Sequence, residues 1–505
     1  MELKIFRDTL CSMGPACEAK AELPIEAEIL IPDYLPQIFK IVKCLVHLVT
    51  LQKQVSQGRI TAEGYLRCVV YYEAEDDQSL CQTEQKIPFT RTMELPQGEY
   101  GACQIQVGGQ VEYLNCRAVN QRRVDVRGAF GLTARITPQV QQEVITALAE
   151  CGIEQKMCSI STARSLVSLD KLITAEETLA LGEIPQAVLE ATGVGTVEEI
   201  KLVSGKAVVK GSIQVELVYR TSAGDGLQTA RQAVPFNQIL DIDQVPEDSQ
   251  CFAYAEMTGC TLMAAAGAEE GIGITVTALL HLRIWRSGEH YLVEDAFSTQ
   301  YHTQLEQQPV YSEQLQEQLH QSTAVQVEGS LPDEDAQLLH CFVLPQSLEL
   351  VQKDQQLVFS GRAWAHILCR NSLGELDCYD KLFEYQFPQQ FGGQPEDYRF
   401  ECWPSVASVQ VEKEAGQAVV KAQMELNGLV FARCRQNVLG QVECTSPLES
   451  TEADIALRIY YAKAGEEVFA IAKQYHVPAA ELVRANQLEE QTLQAPARLL
   501  VPSTV

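Results

Sequence analysis

The chain has 505 residues, of which 46% are hydrophobic and 21% are charged, a composition typical of a globular protein with several domains. Its 39 Lys and Arg residues against 67 Asp and Glu residues give a net charge of −28, which disfavours nucleic acid and anionic lipid as partners and also favours solubility. The N-terminus lacks the apolar core of a signal peptide, and no stretch approaches the roughly 18 apolar residues of a membrane span, so we expect no membrane insertion.

A repeat of about 150 residues runs through most of the chain. Two sets of regularly spaced residues, which we call landmarks, indicate this repeat: Gly64, Gly211 and Gly361, and Phe89, Phe236 and Phe387. The glycines are 147 and 150 residues apart, and the phenylalanines are 147 and 151 residues apart. Runs rich in β-branched and aromatic residues around these landmarks predict a mainly β fold, with about ten short antiparallel strands in each copy.

The period divides the chain into three consecutive β-rich modules at residues 1–155, 156–312 and 313–448, the third of them divergent. A module of about 150 residues is long enough to bury its own core, so each is predicted to be a domain and not one turn of a solenoid. A polar connector at 449–455 follows, and a smaller unit occupies residues 456–503.

One segment in the second half of the first module, VDVRGAFGLTARI, alternates like a strand with one buried face. Val124, Val126, Leu132 and Ile136 share one parity and form the predicted buried side. The QVQQEVITALAEC segment that follows has helical propensity, although the repeat makes a strand and turn an equal alternative.

The densest polar cluster lies on and before this strand, and we refer to it as the arginine patch: Asn120, Arg122, Arg123, Asp125 and Arg127. Alternation places the last three of these on the face opposite the buried valines. One interpretation is a solvated sheet face whose charges pair with one another. The other is a docking patch, because arginine is favoured at interfaces and binds carboxylates through two hydrogen bonds.

The C-terminal unit has the pattern strand, helix, helix, strand. LRIYYAKAGEE predicts a strand and a glycine-containing turn, and ARLLVP predicts the second strand. One face of the first predicted helix is apolar and carries Val468, Ile471, Ala472 and Tyr475. The second predicted helix starts near Pro478 and ends at Asn486, where a left-handed residue is tolerated.

This unit resembles a LysM domain over residues 456–503. The residues that carry the resemblance are Tyr460, Gly465, Ile471, Ala472, Lys473, Val477, Leu482, Asn486, Leu499, Val501 and Pro502. LysM domains bind N-acetylglucosamine glycans in a shallow groove between the first strand–helix turn and the last helix–strand loop. The resemblance implies a groove lined by the following residues, the groove set: Gly465, Glu466, Glu467, Val468, Asn486, Gln487 and Leu488. The alternative is that the same fold contacts a protein.

Two further segments are similar to the SPOCS domain, which occurs in proteins of endospore-forming bacteria. AVNQRRVDVRGAF, from Ala118, resembles a signature of that family, and EDAFSTQY, from Glu294, resembles a strand that its members share. Proteins that pair SPOCS repeats with a C-terminal LysM domain belong to spore-envelope morphogenesis. The resemblance implies a coat or cortex scaffold, made in the mother-cell cytoplasm and recruited to the forespore surface. The implied partners are peptidoglycan N-acetylglucosamine glycan, a spore-coat morphogenetic protein, or further copies of the chain.

The sequence offers few signs of catalysis. The eight histidines are scattered without HxH, HExxH or HxxxH spacing, so we expect neither a metal nor a cofactor. We find no GxxxxGK[ST] loop and no GxSxG elbow, so we expect a protein that is not an enzyme. The alternatives are a peptidoglycan-remodelling enzyme and a vegetative glycan-binding protein, each targeted by the LysM unit. The 17 cysteines include no CxxC pair and are expected to be reduced thiols in a cytosol, with a later disulfide-linked assembly as the alternative.

Overall fold

The computed structural model describes residues 2–98, 100–179, 181, 185–221, 226–243, 245–264, 272–331, 333–448 and 458–502. Within these residues the chain forms 21 strands, two α-helices and one short 3-10 helix at Pro395–Asp397. The fold is therefore mainly β, as predicted. Neither described α-helix has the length and apolar content needed to cross a membrane. The predicted connector at 449–455 lies outside the described residues.

Unit 1, residues 4–149, is a pair of packed sheets. Its strands are β1 (Lys4–Met13), β2 (Cys17–Leu30), β3 (Ile38–Ser56), β4 (Arg59–Ala74), β5 (Leu80–Glu94), β6 (Cys103–Asn120) and β7 (Arg123–Ala149). β7 pairs antiparallel with β1 and β2 on one side and with β6 on the other, while β3, β4 and β5 form a meander. Val124, Val126, Leu132 and Ile136 are buried between the sheets, as the alternation predicts, against Leu66 of the meander.

Units 2 and 3, residues 153–298 and 301–447, repeat this order with one long first strand in place of β1 and β2. Unit 2 contains β8 (Ile153–Leu179), β9 (Pro185–Val203), β10 (Lys206–Thr221), β11 (Leu227–Asp241), β12 (Gln250–Ala264) and β13 (Ile272–Ser298). Unit 3 contains β14 (Tyr301–Ser330), β15 (Gln337–Lys353), β16 (Gln356–Arg370), β17 (Leu376–Pro388), β18 (Tyr398–Glu414) and β19 (Gln417–Pro447). In both units the last strand pairs with the first and the fifth, and the second to fourth strands form a meander.

The three units meet at short turns. Residues 150–152 separate unit 1 from unit 2, and residues 299–300 separate unit 2 from unit 3. The boundaries predicted after residues 155 and 312 therefore fall inside β8 and β14. The landmark residues lie in the meanders, so they define the period of the repeat but not the positions where one copy ends and the next begins.

The strands are fewer and longer than predicted. In the described parts of the chain the units contain seven, six and six strands instead of about ten, and the longest of these strands, β19, has 31 residues. The segment QVQQEVITALAEC, for which a helix was one alternative, forms the end of β7 up to Ala149 and then the turn at Glu150 and Cys151, so the strand-and-turn alternative is correct. Each long strand has two halves. One half belongs to the sandwich of its own unit, and the other half extends to the neighbouring units.

These extensions form three two-stranded ribbons that pack against one another. The ribbons are β1 with the end of β7, the start of β8 with the end of β13, and the start of β14 with the end of β19. The buried residues at their contact are Leu10, Val144, Ile160, Leu292, Val310 and Val438. Val144, Leu292 and Val438 occupy equivalent places in the three ribbons, 148 and 146 residues apart, so the units are arranged with pseudo-threefold symmetry.

The landmark glycines lie at equivalent places in the central strands of the three meanders. Each of Gly64, Gly211 and Gly361 faces a shift of register in the preceding strand. A Cβ on Gly64 would meet the carbonyl oxygen of Val49. In units 1 and 2 the repeat therefore keeps glycine where a bulged neighbouring strand approaches the backbone closely, whereas a Cβ on Gly361 would meet the ring of Tyr385.

One landmark was assigned wrongly. Gly64 pairs with Phe89 and Gly211 pairs with Phe236, but Gly361 pairs with Tyr385. Tyr385, and not the predicted Phe387, is therefore the equivalent aromatic residue of unit 3. Both side chains are buried and two residues apart, so the sequence spacing alone could not separate them.

The C-terminal unit has the predicted order of elements: β20 (Arg458–Ala462), α1 (Val468–Tyr475), α2 (Ala479–Asn486) and β21 (Ala497–Val501). The two strands pair antiparallel. Val468, Ile471 and Ala472 are buried in its core, as predicted, and Tyr475 packs at the edge. The left-handed residue after α2 is Gln487, with φ of 52°, and not Asn486, which is the last helical residue.

Candidate functional site

The two loops predicted to flank the glycan groove are hydrogen-bonded to each other. The N–H of Gly465 donates to the carbonyl of Leu493 at 2.7 Å, and the N–H of Leu493 donates to the carbonyl of Glu466 at 3.0 Å. The N–H of Val468 donates to the carbonyl of Gln491 at 2.8 Å. These main-chain bonds hold the β20–α1 turn against the α2–β21 loop and give the groove a fixed floor.

Members of the groove set differ in their accessibility. Gly465 and Gln487 are exposed, and a Cβ on Gly465 would find nothing within 4 Å. Val468 is 2% exposed and packs in the core of the unit. The half-buried members are Glu466, Glu467, Asn486 and Leu488. A ligand in this groove would therefore meet Gly465 and Gln487 first, and Val468 supports the groove from within.

Two polar members are engaged within the unit. The Asn486 amide donates to the carbonyls of Leu482 at 2.9 Å and Leu500 at 2.8 Å, and its oxygen accepts the Leu500 N–H at 2.6 Å. Asn486 therefore ties the end of α2 to β21. The Glu466 carboxylate accepts the Tyr460 hydroxyl at 3.0 Å, and this hydrogen bond raises the pKa of Tyr460. Direct glycan contacts of the groove set remain predictions.

The C-terminal unit is docked on the end of β13. Phe297 of β13 is fully buried in the apolar core of the C-terminal unit, with its ring centroid 5.3 Å from that of Phe469. Lys473 of α1 forms an ion pair with Asp295 at 2.6 Å. His476 Nδ1 donates to the carbonyl of Ser298 at 2.9 Å. The docked end of β13 is thus the EDAFS part of the EDAFSTQY segment singled out in the sequence, which continues through the turn to the first residue of β14.

One docking contact reaches the groove set. Lys156 of β8 lies 2.7 Å from Glu467 and 3.4 Å from Glu294. The hydrogen bond to Glu467 is the main cause of a raised pKa at Lys156. Of the two acidic residues in the groove set, Glu467 is therefore paired with a lysine of unit 2 and Glu466 with a tyrosine. Lys156 thus offsets the charge of Glu467, one of the residues of the predicted groove.

Charges of the arginine patch pair on the outer face of unit 1. Arg123 pairs with Glu28 of β2. Asp125 lies 3.1 Å from Arg127 and 3.4 Å from Arg117 of β6. This is the arrangement of a solvated, self-paired sheet face. The Arg127 side chain is 72% exposed, so it remains accessible to a partner, and docking through this face stays a prediction.

The other two members of the arginine patch stabilise the turn before β7. The Asn120 side chain accepts the Arg122 N–H at 2.9 Å. The Arg122 guanidinium donates to the carbonyls of Pro32 at 2.9 Å and Leu35 at 2.7 Å. Arg122 therefore holds the β2–β3 connection and does not line the exposed face with Arg123 and Arg127.

A set of buried and half-buried polar residues joins all three units and was not predicted. The interunit ring consists of Lys53 and Gln104 of unit 1, Asp170 and Arg283 of unit 2, and Glu401 and Arg399 of unit 3. Arg283 lies 2.9 Å from Asp170 and 2.6 Å from Glu401. Asp170 also pairs with Lys53, and Arg399 donates to Gln104 at 2.6 Å. The contacts therefore pass from unit 1 through units 2 and 3 and back to unit 1.

Burial strengthens the electrostatic coupling in the interunit ring. Glu401 is 2% exposed and Arg283 is 4% exposed. Burial acts to raise the pKa of Asp170, but the hydrogen bond from His281 and the charges of Arg283 and Lys53 hold that pKa well below its usual range. The pKa of Glu401 is likewise lowered, because Arg283 and Arg399 outweigh the effect of burial. The only sequence sign of this ring is a charged residue inside an apolar strand, such as the arginine in LLHLRIW.

Two family models match the chain. The model described as "SipL, SPOCS domain" matches residues 37–119 and 186–264, and the LysM domain model matches residues 460–502. No curated protein and no solved structure matches the chain.

The two SPOCS segments correspond to the meander and the following strand in units 1 and 2, that is β3–β6 and β9–β12. Most of AVNQRRVDVRGAF lies after the first segment, and unit 3 has the same strand order outside both segments. The LysM segment covers β20, α1, α2 and β21. The chain therefore contains two segments that match the SPOCS domain and a C-terminal LysM domain, as the resemblance implied.

Proposed function

We propose that the protein is a non-catalytic assembly scaffold of the spore envelope, anchored by its LysM domain to peptidoglycan glycan or to a coat protein. The SPOCS segments imply a sporulation-related function, and the LysM domain implies peptidoglycan or glycan binding. One observation carries the proposal: the LysM domain is docked on β13 of unit 2 while Gly465 and Gln487 stay exposed. An anchor docked in this way holds the three units at whichever surface it binds.

A scaffold role is supported by the way the three units are joined. The packed ribbons and the interunit ring connect them into one body, whose outer sheet faces are available for assembly contacts. Several weak contacts together with one anchor give useful avidity without any tight single site. In this proposal the protein is made in the mother-cell cytoplasm and recruited to the forespore surface.

The first test is calorimetric titration of the full chain with N-acetylglucosamine oligomers. Saturable binding that weakens in Gln487→Ala would support the glycan anchor, because Gln487 is an exposed member of the groove set. Gln474→Ala is the matched control, since Gln474 lies on the exposed side of α1 outside that set. A folded chain that does not bind would leave the coat protein as the ligand. Capture of coat proteins from sporulating cells, with and without the LysM domain, would then test that partner.

Two further measurements separate the scaffold from its alternatives. Incubation with purified peptidoglycan should release no soluble sugar, whereas release would favour a wall-remodelling enzyme. A fluorescent fusion should appear around the forespore during sporulation. A signal in vegetative cells that is independent of sporulation would contradict the proposed localisation and favour a vegetative glycan-binding protein.

A further inference from the structure

Three side chains that commonly bind metals converge on one face of the unit 3 meander. His366 lies on β16, and Cys378 and Asp380 lie on β17. His366 pairs directly with Asp380 across the two strands, and Cys378 precedes Asp380 by two residues, so all three share one face. Their imidazole nitrogen, thiol sulfur and carboxylate oxygen atoms lie within 4.8 Å of one another.

We propose that His366, Cys378 and Asp380 form a binding site for a divalent transition-metal ion such as Zn²⁺. One nitrogen, one sulfur and one oxygen ligand make a set that suits Zn²⁺, whereas Mg²⁺ and Ca²⁺ prefer oxygen ligands alone. Three protein ligands leave one position of a tetrahedral ion for water or a fourth side chain. Binding converts the Cys378 thiol to a metal-bound thiolate and releases its proton to solvent.

The hydrogen bonds around Asp380 orient it for this role. Asp380 Oδ1 lies 2.7 Å from His366 Nδ1 and 3.9 Å from Cys378 Sγ, so one carboxylate oxygen already faces the other two ligands. The second oxygen, Oδ2, pairs with Lys43 of β3 at 2.5 Å. Lys43 therefore fixes the carboxylate from the side opposite the ion, as outer partners of metal ligands do.

The proposed site lies where unit 3 meets unit 1. Lys43 of β3 in unit 1 pairs with Asp380 of β17 in unit 3, so the proposed ligands face the contact between the two units. A bound ion would then reinforce a contact that already includes the ion pair of Lys40 with Asp377 at 2.7 Å.

Local sequence patterns do not reveal such a site, and for this reason the sequence led us to expect no metal. His366 and Cys378 are 12 residues apart and share no recognised metal-binding spacing. The pairing of β16 with β17 brings them together. The alternation of β17 then places Cys378 and Asp380 on the same face.

The test is titration of the reduced, metal-stripped full chain with Co²⁺, followed by thiolate-to-cobalt charge-transfer absorption. We expect one equivalent to bind, the band to be lost in Cys378→Ser, and the affinity to fall at least about tenfold in Asp380→Asn. Cys434→Ser is the matched control, because Cys434 is exposed and outside the cluster, and it should keep the band. No band in the wild type, or a band that survives Cys378→Ser, would overturn the proposal.

A stability measurement keeps the proposal testable if Cys378→Ser fails to fold. An ion that binds only the folded chain raises its melting temperature. Zn²⁺ should therefore raise the melting temperature of the wild type and have little effect on Asp380→Asn, whose fold is checked by circular dichroism. An equal rise in both proteins, or none in the wild type, would overturn the site.

Discussion

Gly64 lies where the bulged strand β3 approaches the backbone of β4. A Cβ at this position would meet the main-chain carbonyl of Val49, which cannot move without displacing β3. We expect Gly64→Ala to lower the free energy of unfolding by about 1–3 kcal/mol, the usual effect of overpacking. Urea unfolding monitored by circular dichroism measures it. Gly108→Ala is the control, because a Cβ on Gly108 finds nothing within 4 Å, and equal losses in both variants would contradict the explanation.

His281 gives the molecule a pH-dependent contribution to stability. Its Nδ1 lies 2.8 Å from Asp170 and its Nε2 lies 3.4 Å from Glu256. Burial lowers the pKa of His281, but the hydrogen bonds to these two carboxylates outweigh burial and raise it above 6.5. Arg283 also contacts Asp170, and the ring of Trp403 stacks on His281.

A group with a raised pKa in the folded state stabilises that state fully below its unfolded pKa and loses this effect as the pH rises through the folded value. The free energy of unfolding should therefore fall as the pH rises above 6.5, and it should fall less steeply in His281→Gln. Denaturant titrations at a series of pH values measure both slopes. His290→Gln, on the same strand, should keep the wild-type slope. Identical slopes in wild type and His281→Gln would contradict this assignment.

At the scale of the elements, the docking of the LysM domain depends on one aromatic side chain from another unit. Phe297 is fully buried in the LysM core beside Phe469. Truncation of a buried phenylalanine costs about 3–5 kcal/mol, and here the loss should fall on the contact between β13 and α1. We expect amides of α1 to exchange hydrogen much faster in Phe297→Ala, while those of β16 keep their protection.

Mass-spectrometric hydrogen exchange on the full chain tests this expectation. Phe39→Ala is the control, because Phe39 is 60% exposed and belongs to β3. Unchanged protection of α1 in Phe297→Ala would mean that the ion pair of Lys473 with Asp295 holds the domain without the aromatic contact.

Local patterns predicted which faces of individual elements are buried. The alternation of Val124 and Val126 identified the buried side of β7, and the spacing of Val468, Ile471 and Ala472 identified the buried side of α1. The length of β7 could not be predicted in this way, because its second half is stabilised by ribbons from units 2 and 3. Local propensity alone left helix and strand as equal alternatives for this segment.

Local sequence likewise predicted only part of the candidate site, because contacts between distant residues leave no local pattern. The groove set could be named from a resemblance, since it lies within one small unit. The pairing of Glu467 with Lys156 joins residues 311 positions apart, and no local sequence pattern predicts it. Tertiary contacts of this kind decide which members of a predicted site remain free to bind.

For the whole molecule, the interunit ring determines how the three units depend on one another. Glu401 is buried between Arg283 at 2.6 Å and Arg399 at 3.8 Å. Neutralising it removes the closest counter-charge of Arg283, which keeps Asp170 at 2.9 Å, while Arg399 keeps Glu313 at 2.8 Å. Removal of one partner of a buried ion pair destabilises a protein by about 3–5 kcal/mol, because the remaining charge is uncompensated.

We therefore expect Glu401→Gln to lower the free energy of unfolding by up to this amount, since each arginine keeps one carboxylate partner, and to loosen all three units together, since the ring connects each of them to the next. Urea unfolding gives the loss of stability, and limited proteolysis shows whether cleavage appears in units 1 and 2 as well as in unit 3. Glu412→Gln is the control, because Glu412 pairs with Lys421 at the exposed surface of the same sheet and should change little. If Glu401→Gln were no less stable than Glu412→Gln, the packed ribbons alone would hold the units together. Cleavage confined to unit 3 would show that the ring stabilises one unit without coupling the three.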